Sequence, residues 1–173
     1  MSNPGHTTVV RPERPADIAS IRAVNIAAFP TADEAVLVDA LRADVAAWIN
    51  GLSYVAERDG VVIGHALLTR SLVDATPVLA LAPCAVVPEL QGTGVGTAVI
   101  SALLQAARDR GAEQTVVVLG HAAYYPRFGF TPASRFGIAA PFDVPDDAFM
   151  AMTLTDEARV PTGTTIYPVA FGG

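Results

Sequence analysis

Three glycines fall within five residues at Gly92, Gly94 and Gly96, inside the stretch Gln91-Gly92-Thr93-Gly94-Val95-Gly96. Missing side chains let a ligand approach the backbone, and a helix starting here aims unpaired N–H groups outward. A loop of this build binds phosphate. Spacing then narrows the ligand. A nucleoside-triphosphate loop needs Lys followed by Ser or Thr, and all 11 Lys and Arg residues of this chain are arginine. A dinucleotide fingerprint needs G-x-G-x-x-G, whereas these glycines give G-x-G-x-G, and Glu113, at about the distance of a ribose ligand, precedes the next apolar run instead of ending it. The other reactive side chains are sparse. Cys84, His65 and His121 lack metal-ligand spacing, so no metal is expected. Cys84 stands alone in an apolar strand and reads as inert core, although a thiol there could accept an acyl group. His65 lies in an alternating strand and reads as structural.

The loop needs a strand before it and a helix behind it. Val95, Val99, Leu103 and Ala107 recur every four residues, and Ile100 and Leu104 widen the stripe. Arg108 and Arg110 suit the negative pole of that helix, and Gly111 is a left-handed stop. Leu79 to Val87 forms the preceding strand, where Pro83 removes a ladder donor and predicts a bulge. Upstream, Thr7 to Arg11 is β-type. Asp17 to Ala28 is a first helix with a stripe of Ile18, Ile21, Val24 and Ala28. Thr31 to Glu34 form a capping box before a second helix over Ala35 to Ala43, carrying Val36, Leu37 and Leu41. Leu52 to Arg58 and Val61 to Leu72 flank Asp59-Gly60, a tight-turn pair, and predict a hairpin. Downstream, Gln114 to Leu119 is a strand buried on both faces. Phe130 to Ile138 and Ala148 to Leu154 read as closing strands around the loop Pro141 to Asp147, and Val160 to Phe171 as an edge strand or partner contact.

Length and charge bound the rest. The 173 residues suffice for one domain, with ample apolar content for a core. No run of about eighteen apolar residues is free of charge, Pro or Gly, so no membrane span is expected. The N-terminal stretch from Met1 to Pro15 lacks a signal-peptide pattern, and a single cysteine fits a reducing compartment; a cytoplasmic location follows. A net charge of −6 with scattered arginines counts against a nucleic-acid partner and favours a cationic amine over a polyanion.

The segment Val86-Val87-Pro88-Glu89-Leu90-Gln91-Gly92-Thr93-Gly94-Val95-Gly96 resembles the acyl-CoA loop of the GNAT superfamily of N-acetyltransferases, with Gln91, Gly94 and Gly96 on its pattern. A second block, His121-Ala-Ala-Tyr124-Tyr125-Pro-Arg-Phe-Gly129-Phe130, resembles that family's short helix ending in Tyr, three residues, Gly, Phe. The order of elements matches too, and the tyrosine block and terminal Tyr-Pro-Val-Ala-Phe are similar to a bacterial subgroup of predicted N-acetyltransferases.

The resemblance implies an α/β (α+β) GNAT fold: a mixed central sheet of about six to seven strands with flanking helices, as a single N-acetyltransferase domain over residues 1–173. It implies acetyl-CoA as cosubstrate. The pyrophosphate would be held by Gln91, Gly92, Thr93, Gly94, Val95, Gly96 and Thr97, and the pantetheine arm by the strand near Val86 and Val87. Tyr125, four residues before Gly129, takes the place of the general acid, with Tyr124 beside it as core.

The base is open. Members with a Glu on the strand before the loop have no counterpart here, since Leu79 to Pro88 holds no acid. His121 is the first candidate, because imidazole ordinarily titrates near neutrality. Glu34 or Asp33, in the segment that caps the acceptor site of this fold, is the second, and water alone is a third. The expected activity is acetyl transfer to a primary amine, of a small molecule or a protein, by direct attack in a ternary complex. Two alternatives stay open: a non-catalytic acyl-CoA sensor, and a toxin-like acetyltransferase of charged tRNA. Acceptor specificity is expected from Phe29 to Leu52 and the loop Pro141 to Asp147. Pairing into a homodimer through terminal strands is common in this fold.

Overall fold

The computed structural model describes residues 7–172. Residues 1–6, part of the N-terminal stretch read above as lacking a leader, and Gly173 lie outside the described residues. Strand β1 (Thr8–Pro12) is followed by a single turn of 3-10 helix at Pro15–Asp17 and by helices α1 (Ile18–Ala28) and α2 (Asp33–Ala43). Then come β2 (Ser53–Arg58), β3 (Val61–Val73) and β4 (Thr76–Val86), the glycine loop, α3 (Val95–Arg110) and β5 (Thr115–Leu119). The chain closes through β6 (Thr131–Pro132), β7 (Ile138–Ala139), β8 (Phe149–Thr153) and β9 (Gly163–Ile166). The sheet runs β1-β2-β3-β4-β5-β8-β6, with β9 pairing both β3 and β7. Seven strands on that path agree with the expected mixed sheet; two short ones are added at its side.

Helix α3 buries every residue of its predicted stripe, Val95, Val99, Ile100, Leu103, Leu104 and Ala107, against the sheet. Removing an aliphatic side chain of that kind from water stabilises by roughly 1.5–3 kcal/mol, so this interface anchors the loop at its N-terminal end. Gly111 caps its far end with φ 69°. The hairpin turn is also as read: Asp59 (φ 53°) and Gly60 (φ 80°) are both left-handed, the backbone of a two-residue turn that twists with its strands. The predicted bulge is present too. Pairing steps from Ala66↔Cys84 to Leu68↔Leu81, so Ala82 and Pro83 together oppose Leu67.

Four expectations need correction. Helix α1 buries Ile21, Val24 and Asn25, while Ile18 is exposed. Helix α2 buries Ala35, Val38 and Leu41, and Val36 faces solvent; apolar residues on two sides of a short helix leave its orientation to its neighbours. No capping box forms at α2. Its cap residue is Ala32, with no side-chain cap bond, and Thr31 Oγ1 accepts from the Asp33 N–H at 3.3 Å instead. Finally, Phe130 to Ile138 is not one strand: only Thr131 and Pro132 pair with β8, and a 3-10 turn at Ala133–Phe136 closes on left-handed Gly137. Among the described residues, no helix is long and apolar enough to cross a membrane.

Candidate active site

Strands β4 and β5 pair at only two positions, Leu79 beside Val116 and Ala80 beside Val117. Past Ala80 that flank of β4 is unpaired. Val87 gives its N–H to Ile63 at 3.0 Å, so ladder alternation turns the N–H and C=O of Val86 the other way, toward the gap. The Gln91 amide donates to the Val86 carbonyl at 3.0 Å and folds the loop back on its strand. Gly92 (φ 76°) and Gly94 (φ 95°) adopt the left-handed backbone with open space where a Cβ would stand; conformation, not crowding, selects glycine at both. In α3 the Ala98 N–H is bonded to the Gly94 carbonyl at 3.0 Å. The N–H groups of Val95, Gly96 and Thr97 precede it without intrahelical acceptors, at the positive end of the helix dipole. This fits an anionic phosphate.

A tight turn brings the tyrosines to the same gap. The His121 carbonyl accepts the N–H groups of Tyr124 (3.0 Å) and Tyr125 (3.3 Å), and a 3-10 turn over Tyr125–Phe128 ends on Gly129 at φ 108°. Tyr124 does more than pack against the core. Its hydroxyl lies 3.0 Å from Thr97 Oγ1, and Arg127 stacks over its ring at 4.2 Å. Tyr125 stands edge-on to Tyr124 (5.1 Å, 85°) and to Phe130 (5.9 Å, 87°).

Tyr125 and Cys84 both line the gap, and each influences the other's proton. Burial first, then Cys84, pushes the Tyr125 hydroxyl well above the usual phenol range. Burial likewise pushes the Cys84 thiol up to about 12, against a smaller opposing effect of its hydrogen bond to Tyr125. Both groups therefore hold their protons at neutral pH. A thiol so poised is a poor nucleophile.

Beside them opens a cavity of about 1060 Å³. Its lining brings together three of the predicted chemical groups, Glu34, His121 and Tyr125, along with Cys84. Glu34 Oε2 is buried without a hydrogen-bond partner among the described residues, and His121 is exposed. Asp33 is exposed; neither it nor the loop residues from Gln91 to Thr97 belong to the lining. The phosphate-type cradle and the cavity are thus two ends of one gap, joined through Thr97, Tyr124 and Tyr125. His65 is away from both, buried against Ser53 and Asn25. Among the described residues, no group of three His, Cys, Asp or Glu could hold a metal.

The sequence model of the Acetyltransferase (GNAT) family matches residues 19–130. The chain belongs to that family. It is 41% identical over 155 residues to the uncharacterized N-acetyltransferase YjhQ of Escherichia coli (strain K12), covering 85% of this chain and 84% of the relative. A crystal structure of the GNAT family N-acetyltransferase YhbS of Escherichia coli in complex with CoA is similar over 100% of this chain and 96% of that one, with TM-score 0.89 and 28% identity. A GNAT family acetyltransferase of Brucella melitensis in complex with acetyl-CoA is similar over 95% and 98% of the two chains, with TM-score 0.76 and 32% identity. This GNAT chain is an N-acetyltransferase.

Three contributors to the site escaped the sequence reading. Gly120 makes room for the Tyr125 ring, Tyr124 ties the tyrosine turn to α3, and the C-terminal residues Tyr167 and Phe171 wall the cavity. A glycine next to His121 was the one visible signal for the first. The third depends on β9 docking against β3, at Leu72↔Ile166 and Val73↔Thr165, which no local pattern encodes.

Proposed function

We propose that residues 1–173 act as one catalytic domain that transfers the acetyl group of acetyl-CoA to a primary amine by direct attack in a ternary complex. One observation carries this reading: a helix N-terminus built for phosphate and a protonated tyrosine occupy the two ends of the gap between β4 and β5. Gln91 to Thr97 would hold the pyrophosphate, Thr97 at the helix start included. Of the two strand residues, Val86 turns its polar groups to the gap and would pair with the pantetheine arm; the Val87 N–H is spent on Ile63.

The neutral amine adds to the thioester carbonyl, and collapse of the tetrahedral intermediate breaks the C–S bond. Tyr125 then gives its proton to the departing thiolate. A hydroxyl held above its ordinary range stays protonated until that moment, which suits an acid and not a base. His121 at the cavity takes the amine proton directly or through water, with Glu34 the second base. The raised Cys84 thiol favours this one-step route over an acyl-cysteine intermediate. The lone free cysteine fits a reducing, cytoplasmic setting.

Calorimetric titration with acetyl-CoA, followed by thiol release across a panel of amines, tests the proposal. Binding together with release that falls at least ~100-fold in Tyr125→Phe, the scale of general acid catalysis, is the expected result. Binding without release on any amine would favour a sensor. No binding would overturn the reading of the loop.

A further inference from the structure

The cavity recognises its occupant with very little charge. Among the described residues of its lining, Glu34 is the only side-chain carboxylate and there is no arginine. Apart from His121, Thr164, Thr165 and the Tyr125 hydroxyl, its wall is mostly apolar and, on one side, aromatic. Phe142 stacks on Tyr167 with ring centroids 6.1 Å apart and planes 11° from parallel, and Tyr167 leans on Phe171 at 4.9 Å. Phe29 adds a fourth ring to the lining. Phe142 is still 45% exposed despite its stacking partner, so a large aromatic face is available to a ligand. Burial pushes the Tyr167 hydroxyl up to about 12, and that ring therefore stays a neutral phenol.

We infer that the acetyl acceptor is a small monoamine on an aromatic body, an arylalkylamine, with its ammonium held by Glu34 and its ring against Phe142 and Tyr167. The inference rests on the acetyltransferase reading above. Glu34 sits in the first turn of α2, the helix that packs against the 3-10 turn Val169–Phe171, so carboxylate and rings share one wall system. Its buried Oε2, without a partner among the described residues, is an acceptor whose desolvation a ligand N–H would offset. Cations also gain from the faces of the neighbouring rings.

The same features exclude other amines. A polyamine would bring a second ammonium where the described lining offers no second side-chain carboxylate. An amino acid would bring a carboxylate where there is no arginine to receive it. An extended peptide would need a free strand edge; β9 in the wall already pairs with β3 and β7, and the open flank of β4 is the one assigned above to the pantetheine arm.

The test is calorimetric titration of the CoA-loaded protein with 2-phenylethylamine, phenylalanine, 2-phenylethanol and spermidine. 2-Phenylethylamine is expected to bind at least ten-fold tighter than each of the other three. Phenylalanine differs only by its carboxylate and 2-phenylethanol only by its charge. Glu34→Gln should weaken 2-phenylethylamine at least ten-fold and leave the CoA titration unchanged. Phe142→Ala, on an exposed loop ring, should weaken it several-fold, and this variant decides the matter should Glu34→Gln fail to fold. Tighter binding of spermidine or phenylalanine, or equal binding of 2-phenylethanol, would overturn the inference while the acetyltransferase reading stands. Failure of CoA itself to bind would remove both.

Discussion

A Cβ on Gly120 would lie 2.2 Å from Cε2 of Tyr125 and 2.9 Å from its Cδ2, so the tyrosine ring occupies the space any other residue at this position would need. The backbone of Gly120 is not left-handed. Glycine is required here for room alone. Gly120→Ala must tip the Tyr125 ring, and a displacement near 1 Å at a reacting group costs about 10²-fold in rate. We expect kcat to fall by about that factor with acetyl-CoA affinity within about two-fold of wild type. Overpacking of this kind also lowers stability by roughly 1–3 kcal/mol. Thiol release, calorimetry and thermal melting on one preparation check all three; an unchanged kcat would mean that the exact seat of Tyr125 does not matter.

Tyr124 and Thr97 form the other link in the gap, hydroxyl to hydroxyl at 3.0 Å. Because the bond joins the tyrosine turn to the first turn of α3, its loss should loosen the cradle and leave Tyr125 in place against Phe130. A neutral hydrogen bond contributes about 0.5–1.5 kcal/mol. Tyr124→Phe is therefore expected to raise KM for acetyl-CoA roughly 2- to 10-fold with little change in kcat. Thr97→Val should do the same, and the double variant should be no worse than either single one. Additive losses would show that the two hydroxyls act separately.

How much of this could be read beforehand follows from the range of the interactions. Helix α3 was legible because its apolar period persists over 16 residues and both ends carry their own signals. The hairpin was legible because Asp59-Gly60 encodes its turn locally. The burial face of α2 was not, since Val36 and Val38 offer it two sides and only packing against α1 and the C-terminal turn selects one. Tyr125 drew its proposed acid role from the resemblance of the block ending in Gly129-Phe130 to the family's short helix. Its partner Cys84 lies 41 positions earlier in the chain, and the contact exists only because the Pro83 bulge and the short β4–β5 pairing set the gap. The aromatic wall belongs to the same class. Phe142 and Tyr167 meet through the docking of β9, a register chosen by the sheet.

His65 sets the last expectation, and it concerns stability. It is 1% exposed, its Nε2 lies 2.9 Å from Ser53 Oγ, and its Nδ1 lies 3.3 Å from Asn25 Nδ2. That amide also donates to the Ile21 carbonyl at 2.9 Å. The Asn25 amide thus spends its hydrogens on Ile21 and Nδ1, leaving a neutral imidazole that carries its proton on Nε2 and donates to Ser53. Burial, and then the charge of Arg42, push its pKa from 6.5 down to about 3. The unfolded chain takes up this proton near pH 6.5, whereas the folded protein resists until about pH 3. Between those values the unfolded state binds more protons, so stability is full above pH 6.5 and declines as pH falls through the window. From pH 6.5 to 4.5 the loss should be on the order of 2–3 kcal/mol. Asp17 is held below the usual carboxylate range by its hydrogen bond to Arg11 and adds its own loss only at lower pH. Urea midpoints at pH 7.5, 6.5, 5.5 and 4.5 separate the two groups. His65→Gln should flatten the decline between pH 6.5 and 4.5, whatever its stability at pH 7.5, and parallel profiles for variant and wild type would show that the folded protein protonates His65 as readily as the unfolded chain does.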